Sequence, residues 1–92
     1  MIRDCLARFA GQLRGYRVVL FGSRAAGTAG PRADFDLGVL GPAPLPLDVF
    51  YRIRDALEEL PTLYTVDWVD LQRTSPEFRQ SALETSRTLY EA

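Results

Sequence analysis

Two short motifs in this chain carry residue types suited to phosphate and metal chemistry. Gly22-Ser23 follows an apolar run at residues 18–21, and after ten further residues Asp34 and Asp36 open a second apolar run. Side chains along a β-strand alternate between its faces, so the two carboxylates point to one side, about 6.6 Å apart along the backbone. A pair of this kind can bridge divalent ions, as phosphoryl transfer with two metals requires. The pattern predicts a metal and triphosphate site.

The alternative for the two aspartates is a solvated strand end, where an Asp-x-Asp pair is common. Here Phe35, Leu37 and Val39 form an apolar face opposite the acids. Carboxylates that enter an apolar strand are costly to desolvate unless a cation compensates their charge. A divalent ion would compensate it, which favours the metal-site interpretation.

The segment that follows the first strand carries groups that suit a phosphate. Gly22 ends the strand where the chain must turn sharply, and backbone amides at such a turn can face an anion. Ser23 can donate its hydroxyl. We predict Arg24 as a nucleotide contact, and Arg32 also flanks the site in sequence. For both arginines, a solvated position in a polar loop is the alternative.

A third carboxylate comes from residues 63–71, which are predicted to form a strand. Asp67 and Asp70 are three residues apart and therefore face opposite sides, so only one can join the Asp-x-Asp pair. Asp67 lies in the middle of the strand, where a carboxylate would be costly to desolvate and has no evident structural role. We therefore predict it as the third metal ligand. We predict Asp70 as a solvated edge or loop residue. An ion pair of Asp67 with an arginine such as Arg17 is the alternative role.

The hydrophobic pattern predicts one α/β domain over residues 1–92, with three strands and about four helices. The strands are predicted at residues 18–21, 35–40 and 63–71. The first helix is predicted from Ile2 to near Gly15, and a short helix or turn over residues 23–28. A further helix is predicted over residues 49–60, before Pro61. The last is predicted to begin at the Ser75 N-cap and Pro76 and to continue through Phe78, Ala82 and Leu89. The proline-rich residues 41–46 are predicted to be a stiff spacer. For Gly38 there are two interpretations: the missing side chain allows a ligand to approach the strand closely, or it allows the strand to twist more easily.

Composition excludes several classes of function. All 11 basic residues are arginines spread along a chain of net charge −1, which argues against broad electrostatic binding to nucleic acid. The chain has no histidine and a single cysteine, Cys5, so histidine-based general bases, Ser-His-Asp triads and thiolate zinc clusters are excluded. Acid–base and metal chemistry must therefore use carboxylates.

Localisation follows from the apolar segments. No apolar run approaches the length of a membrane span, and charged residues interrupt the first ten positions where a secretion signal would need an apolar stretch. We expect a cytoplasmic protein that does not enter the membrane. Cys5 recurs at helical spacing with Ile2, Leu6 and Phe9, and is predicted to be a core residue without chemistry.

Taken together, these motifs resemble the minimal nucleotidyltransferases of the DNA polymerase beta superfamily. The similarity rests on residues 22–27, 34–37, 66–71 and 89–91, in that order, and covers nearly the whole chain. It implies the nucleotidyltransferase fold, an α+β arrangement in which a small mixed sheet of three or slightly more strands packs with about four helices.

The resemblance also implies a role for each site residue. Gly22 and Ser23 would hold the triphosphate of a nucleotide, and Asp34 and Asp36 would coordinate two Mg²⁺ ions. Asp67 would complete the metal site and accept the proton of the attacking hydroxyl. The nucleotide would be ATP, and no organic cofactor is needed.

The acceptor is inferred from size and from the family. A chain this short has no room for an acceptor-binding lobe, which favours a protein acceptor over the small molecules used by aminoglycoside-modifying enzymes. The resemblance implies a toxin–antitoxin system in which AMP is transferred to a hydroxyl of a helical HEPN-type partner, with a homodimer or hetero-oligomer as the assembly. A weakly active or inactive antitoxin that works by contact is the alternative. Ala26 and Ala33 favour it, because family members often carry arginine and serine there.

Overall fold

This computed structural model describes residues 1–22, 35–62 and 65–91. Their central element is a four-stranded mixed sheet. The elements along the chain are α1 (Ile2–Ala7), β1 (Arg17–Phe21), β2 (Phe35–Leu40), α2 (Leu47–Glu58), β3 (Val66–Asp70), a 3₁₀ turn (Leu71–Arg73), α3 (Pro76–Glu84) and β4 (Arg87–Glu91). The helix or turn predicted for residues 23–28 lies outside the described residues. No described helix is long and apolar enough to cross a bilayer.

The strand order is β3-β2-β1-β4. β1 pairs antiparallel with both β2 and β4, whereas β2 and β3 run parallel. Parallel neighbours require a long crossover, and α2 provides it. The prediction of a small mixed sheet with slightly more than three strands is confirmed.

The two faces of the sheet bury different sets of side chains. α1 and α2 pack on one face, where the core includes Cys5, Leu37, Val39, Ile53 and Trp68. The 3₁₀ turn and α3 cover the other face with a smaller cluster, made of Val19, Phe21, Leu71 and Ala82. Cys5 is 2% exposed, so its predicted place in the core is confirmed.

Gly38 belongs to the packing of the smaller cluster. A Cβ at this position would lie 2.7 Å from Leu71 Cδ1 and 2.8 Å from Leu71 Cγ. The absent side chain therefore makes room for Leu71, which occupies the space that a ligand approaching Gly38 would need.

The first helix is shorter than predicted. After Ala7 the backbone N–H groups of Arg8, Phe9 and Ala10 donate to carbonyls three residues back instead of four, which replaces the regular helix by turns. Gly11 lies in this segment, and glycine costs about 1 kcal/mol relative to alanine inside a helix. Leu13 nevertheless remains fully buried, so the apolar periodicity marked core residues correctly beyond the end of the helix.

The last helix was predicted to continue through Leu89, and this is wrong. α3 begins as expected, with Ser75 Oγ accepting from the Phe78 amide at 3.1 Å, but it ends at Glu84. The chain turns at Ser86, whose hydroxyl and amide both donate to the Leu83 carbonyl, and continues as β4. β4 pairs with β1 through a bulge near Leu89, and Arg3 Nε donates to the Leu89 carbonyl at 3.1 Å.

Candidate nucleotide and metal site

Two carboxylates face each other across the parallel β2–β3 pair. Asp36 and Asp67 are direct partners in the register, and such partners project from the same face of a sheet, on strands about 4.8 Å apart. Like charges placed directly opposite each other destabilise a sheet, so this pairing has a cost that a cation would offset. The arrangement is therefore suited to binding a cation.

Trp68 anchors the strand that carries Asp67. Its indole Nε1 donates to the Phe50 carbonyl of α2 at 3.1 Å, and its ring stacks on the Phe50 ring with centroids 5.8 Å apart. Because neighbouring strand residues point to opposite faces, burying Trp68 against α2 directs Asp67 to the other side. Asp67 is exposed there, so its carboxylate is accessible from solvent.

Gly22 lies directly beside Asp36. Phe21, the last residue of β1, pairs with Asp36, and Gly22 then turns the chain with φ +76°. A Cβ on Gly22 would overlap Asp36 Oδ2 and would lie 3.2 Å from Asp36 Cγ. Both the left-handed backbone and the lack of space require glycine at this position. The turn and the carboxylate thus form one local unit.

Three of the predicted site residues, Ser23, Arg24 and Asp34, lie outside the described residues, as do Arg32, Ala26 and Ala33. The structure brings together Gly22, Asp36 and Asp67 from the predicted set. Within the described parts of the chain, no group of three or more metal-ligating side chains occurs. The pair of Asp36 and Asp67 is thus the portion of the predicted metal site that the described residues contain.

Arg17 does not pair with Asp67. Arg17 is the partner of Leu40, four residues along β1 from Phe21, which corresponds to about 13 Å of strand. Phe21 is the residue level with Asp36, and Asp36 is level with Asp67. No ion pair to Asp67 forms among the described residues, so the pairing with Arg17 is not found.

Asp70 is buried, which corrects its prediction as a solvated edge or loop residue. It is 4% exposed and faces away from Asp67, as the partner of Val39 in the main core. Its carboxylate accepts from the Leu45 amide at 2.8 Å and from the Gln72 amide at 3.0 Å, and Arg73 Nε lies 3.6 Å away.

These bonds also change the role of the connector at residues 41–46. Leu45 is fully buried in the core, its amide donates to Asp70, and its carbonyl accepts from Arg73 at 3.0 Å. The connector is an anchored segment and not the spacer that its prolines predicted. It joins β2 and α2 to the end of β3, and so helps to hold the register that aligns Asp36 with Asp67.

Two further features border the acid pair. Phe78 of α3 places its ring edge-on to Phe21, with centroids 6.0 Å apart and an interplanar angle of 89°. Asp67 also lines an open groove of about 310 Å³, together with residues from the end of α2 to the start of β3, among them Leu57, Glu58, Thr62, Thr65 and Val66. The sequence analysis placed Phe78 only as a helix residue. Its proximity to Phe21 depends on how α3 folds back over the sheet.

Residues 13–92 match the family model described as polymerase beta, nucleotidyltransferase. The chain belongs to this family. The acid pair and the adjoining glycine turn are therefore found in a polymerase beta-type nucleotidyltransferase domain, as the motifs predicted.

A curated protein is similar to part of this nucleotidyltransferase domain. A curated relative from Haemophilus influenzae, described as "Probable protein adenylyltransferase MntA", is 35% identical over 65 residues, which are 71% of this chain and 57% of that protein. This chain therefore matches little more than half the length of that relative.

Solved structures share the fold. A toxin–antitoxin complex with AMP-PNP superposes with a TM-score of 0.65 at 21% identity, covering 100% of this chain and 75% of the other. A complex of a tri-AMPylated Shewanella oneidensis HEPN toxin with an MNT antitoxin gives a TM-score of 0.59 at 20% identity, covering 99% and 71%. The nucleotidyltransferase fold that the sequence motifs implied is confirmed.

Proposed function

We propose that this chain transfers AMP from ATP, in a Mg²⁺-dependent reaction, to a hydroxyl group on a HEPN-type partner protein. The observation that carries the proposal is the direct pairing of Asp36 with Asp67 beside Gly22. The similar proteins support it, since one is described as a probable protein adenylyltransferase and one structure contains an AMPylated HEPN toxin.

The donor set of the site fits Mg²⁺. Carboxylate oxygens are the ligands that Mg²⁺ prefers, and Asp36 and Asp67 present theirs on one face of adjacent strands. We propose that Asp34 joins them and that two ions are held. Bound Mg²⁺ would neutralise charge on the phosphates.

The chain's own residues would divide the remaining tasks. The Gly22 turn lets the backbone approach the phosphates next to Asp36, and we propose Ser23 and Arg24 as further phosphate contacts. Asp67 would take the proton of the acceptor hydroxyl, whose oxygen then forms a bond to the α-phosphorus of ATP. The bond from the α-phosphorus to the bridging oxygen breaks at the same time, and pyrophosphate leaves. Asp67 lines the groove at the end of α2, and we propose this groove as the approach of the acceptor.

The assembly and location that go with this activity are also proposals. We propose that residues 1–92 act as one nucleotidyltransferase domain, without a nucleic-acid substrate, in a homodimer or in a hetero-oligomer with the HEPN-type protein. An enzyme that uses ATP and Mg²⁺ in this way would work in the cytoplasm.

The test is the intact mass of a purified HEPN-type partner encoded beside this chain, after incubation of both with ATP and Mg²⁺. We expect the partner to gain one or more AMP increments. The gain should vanish when Mg²⁺ is chelated and in Asp34→Asn/Asp36→Asn, which should also lose Mg²⁺-dependent ATP binding by calorimetry. A tight complex whose partner mass stays unchanged would contradict transfer and favour an antitoxin that works by contact alone.

A further inference from the structure

We infer that Phe78 is the surface on which the base of the bound nucleotide stacks, an inference that rests on the proposed function. Three residues form a row across one face of the sheet: Asp67 on β3, Asp36 on β2 and Phe21 on β1, each the direct partner of the next. Phe78 of α3 packs its ring edge-on against that of Phe21, the residue at the β1 end of this row. The row therefore runs from two acids to an aromatic surface.

The ring of Phe78 is held in place and still open to solvent. Phe21 is 7% exposed, whereas Phe78 is 45% exposed. The Phe78 amide is bound by Ser75 Oγ in the first turn of α3, so the backbone that carries the ring is fixed by the helix cap. An aromatic ring that is already positioned loses little conformational freedom when a ligand covers it.

The spacing suits a nucleotide whose phosphates lie at the acids. Neighbouring strands are about 4.8 Å apart, so the Phe21 side chain begins one strand away from Asp36. The centroid of Phe78 lies 6.0 Å from that of Phe21. A ribose and base that extend from the α-phosphate toward β1 would meet the exposed part of Phe78, while the groove on the Asp67 side stays open for the acceptor.

Stacking of a base on Phe78 predicts a specific pattern of ligand affinities. Every base has a π-face, so a stacking contact contributes affinity without strong preference for one base. Phe78 should therefore strengthen binding of ATP and GTP alike and contribute nothing to a ligand that has phosphates but no base.

The experiment compares magnesium complexes of ATP, GTP and inorganic tripolyphosphate by calorimetry. Phe78→Ala should weaken ATP and GTP binding by about five- to a hundredfold and leave tripolyphosphate binding unchanged. Tyr51→Ala is the matched control: Tyr51 is also 45% exposed but lies on α2, on the other side of the sheet, and its removal should change none of the three affinities. Phe78→Tyr should retain nucleotide binding.

A second variant separates stacking from folding. Phe78→Leu keeps an apolar cover over Phe21 but has no aromatic face, so it should retain the thermal stability of the wild type and still lose nucleotide affinity. Unchanged ATP affinity in Phe78→Leu, or an equal loss of tripolyphosphate and ATP binding, would overturn the stacking role. Wild-type protein that binds neither tripolyphosphate nor ATP would instead overturn the proposed nucleotide site, and the stacking role with it.

Discussion

The carboxylate of Asp36 occupies the space that a side chain on Gly22 would fill. The backbone of Gly22 also has a left-handed conformation, with φ +76°. Both the backbone conformation and the lack of space therefore require glycine at this position. The turn after β1, which is proposed to receive phosphates, thus lies against Asp36 of the proposed metal site.

Gly22→Ala should therefore affect both stability and binding. An added methyl group must displace the Asp36 carboxylate and adopt a strained backbone, which should lower the free energy of unfolding by about 1–3 kcal/mol and weaken Mg²⁺-ATP binding. Gly11→Ala is the matched control, because a Cβ there meets nothing within 4 Å. Urea denaturation and calorimetry measure the two effects. Equal behaviour of the two variants would show that the Gly22–Asp36 contact is unimportant.

Asp70→Asn should destabilise the protein and spare its nucleotide site. The substitution keeps the shape of the side chain but replaces one acceptor oxygen with a donor, which leaves the amide of Leu45 or Gln72 without its partner. An unsatisfied buried donor costs about 1–3 kcal/mol. Asp55→Asn, on the exposed side of α2, is the control for removal of a charge. The account is contradicted if Asp70→Asn matches Asp55→Asn in stability, or if it abolishes ATP binding while the fold persists.

The positions of the two acids on strand three show what the sequence can predict. The two-residue period of a strand is fixed by backbone geometry, so the spacing of Asp67 and Asp70 determined that they face opposite sides. The same rule placed Leu37 and Val39 opposite Asp36, and the structure agrees. Residue spacing within one strand needs no knowledge of distant contacts.

Features that depend on distant contacts were not predictable in this way. Asp70 is buried because Leu45, 25 residues earlier in the chain, donates to it. Gly38 is required by Leu71, which folds over the sheet from a later segment. β4 is an edge element beside β1 with a bulge, and its short sequence has little alternation to separate it from the preceding helix.

The most direct test of the account is the rate of AMP transfer by Asp67→Asn, measured as partner mass against time at saturating ATP and Mg²⁺. The substitution preserves side-chain size but removes the charge of a proposed metal ligand and the proposed proton acceptor, so the rate should fall by at least about 10²- to 10⁴-fold. Nucleotide binding should survive in part, since Gly22 and Asp36 remain, and Asp55→Asn should transfer AMP at the wild-type rate. Transfer by Asp67→Asn at the wild-type rate would contradict the assignment of the paired acids as the reaction centre.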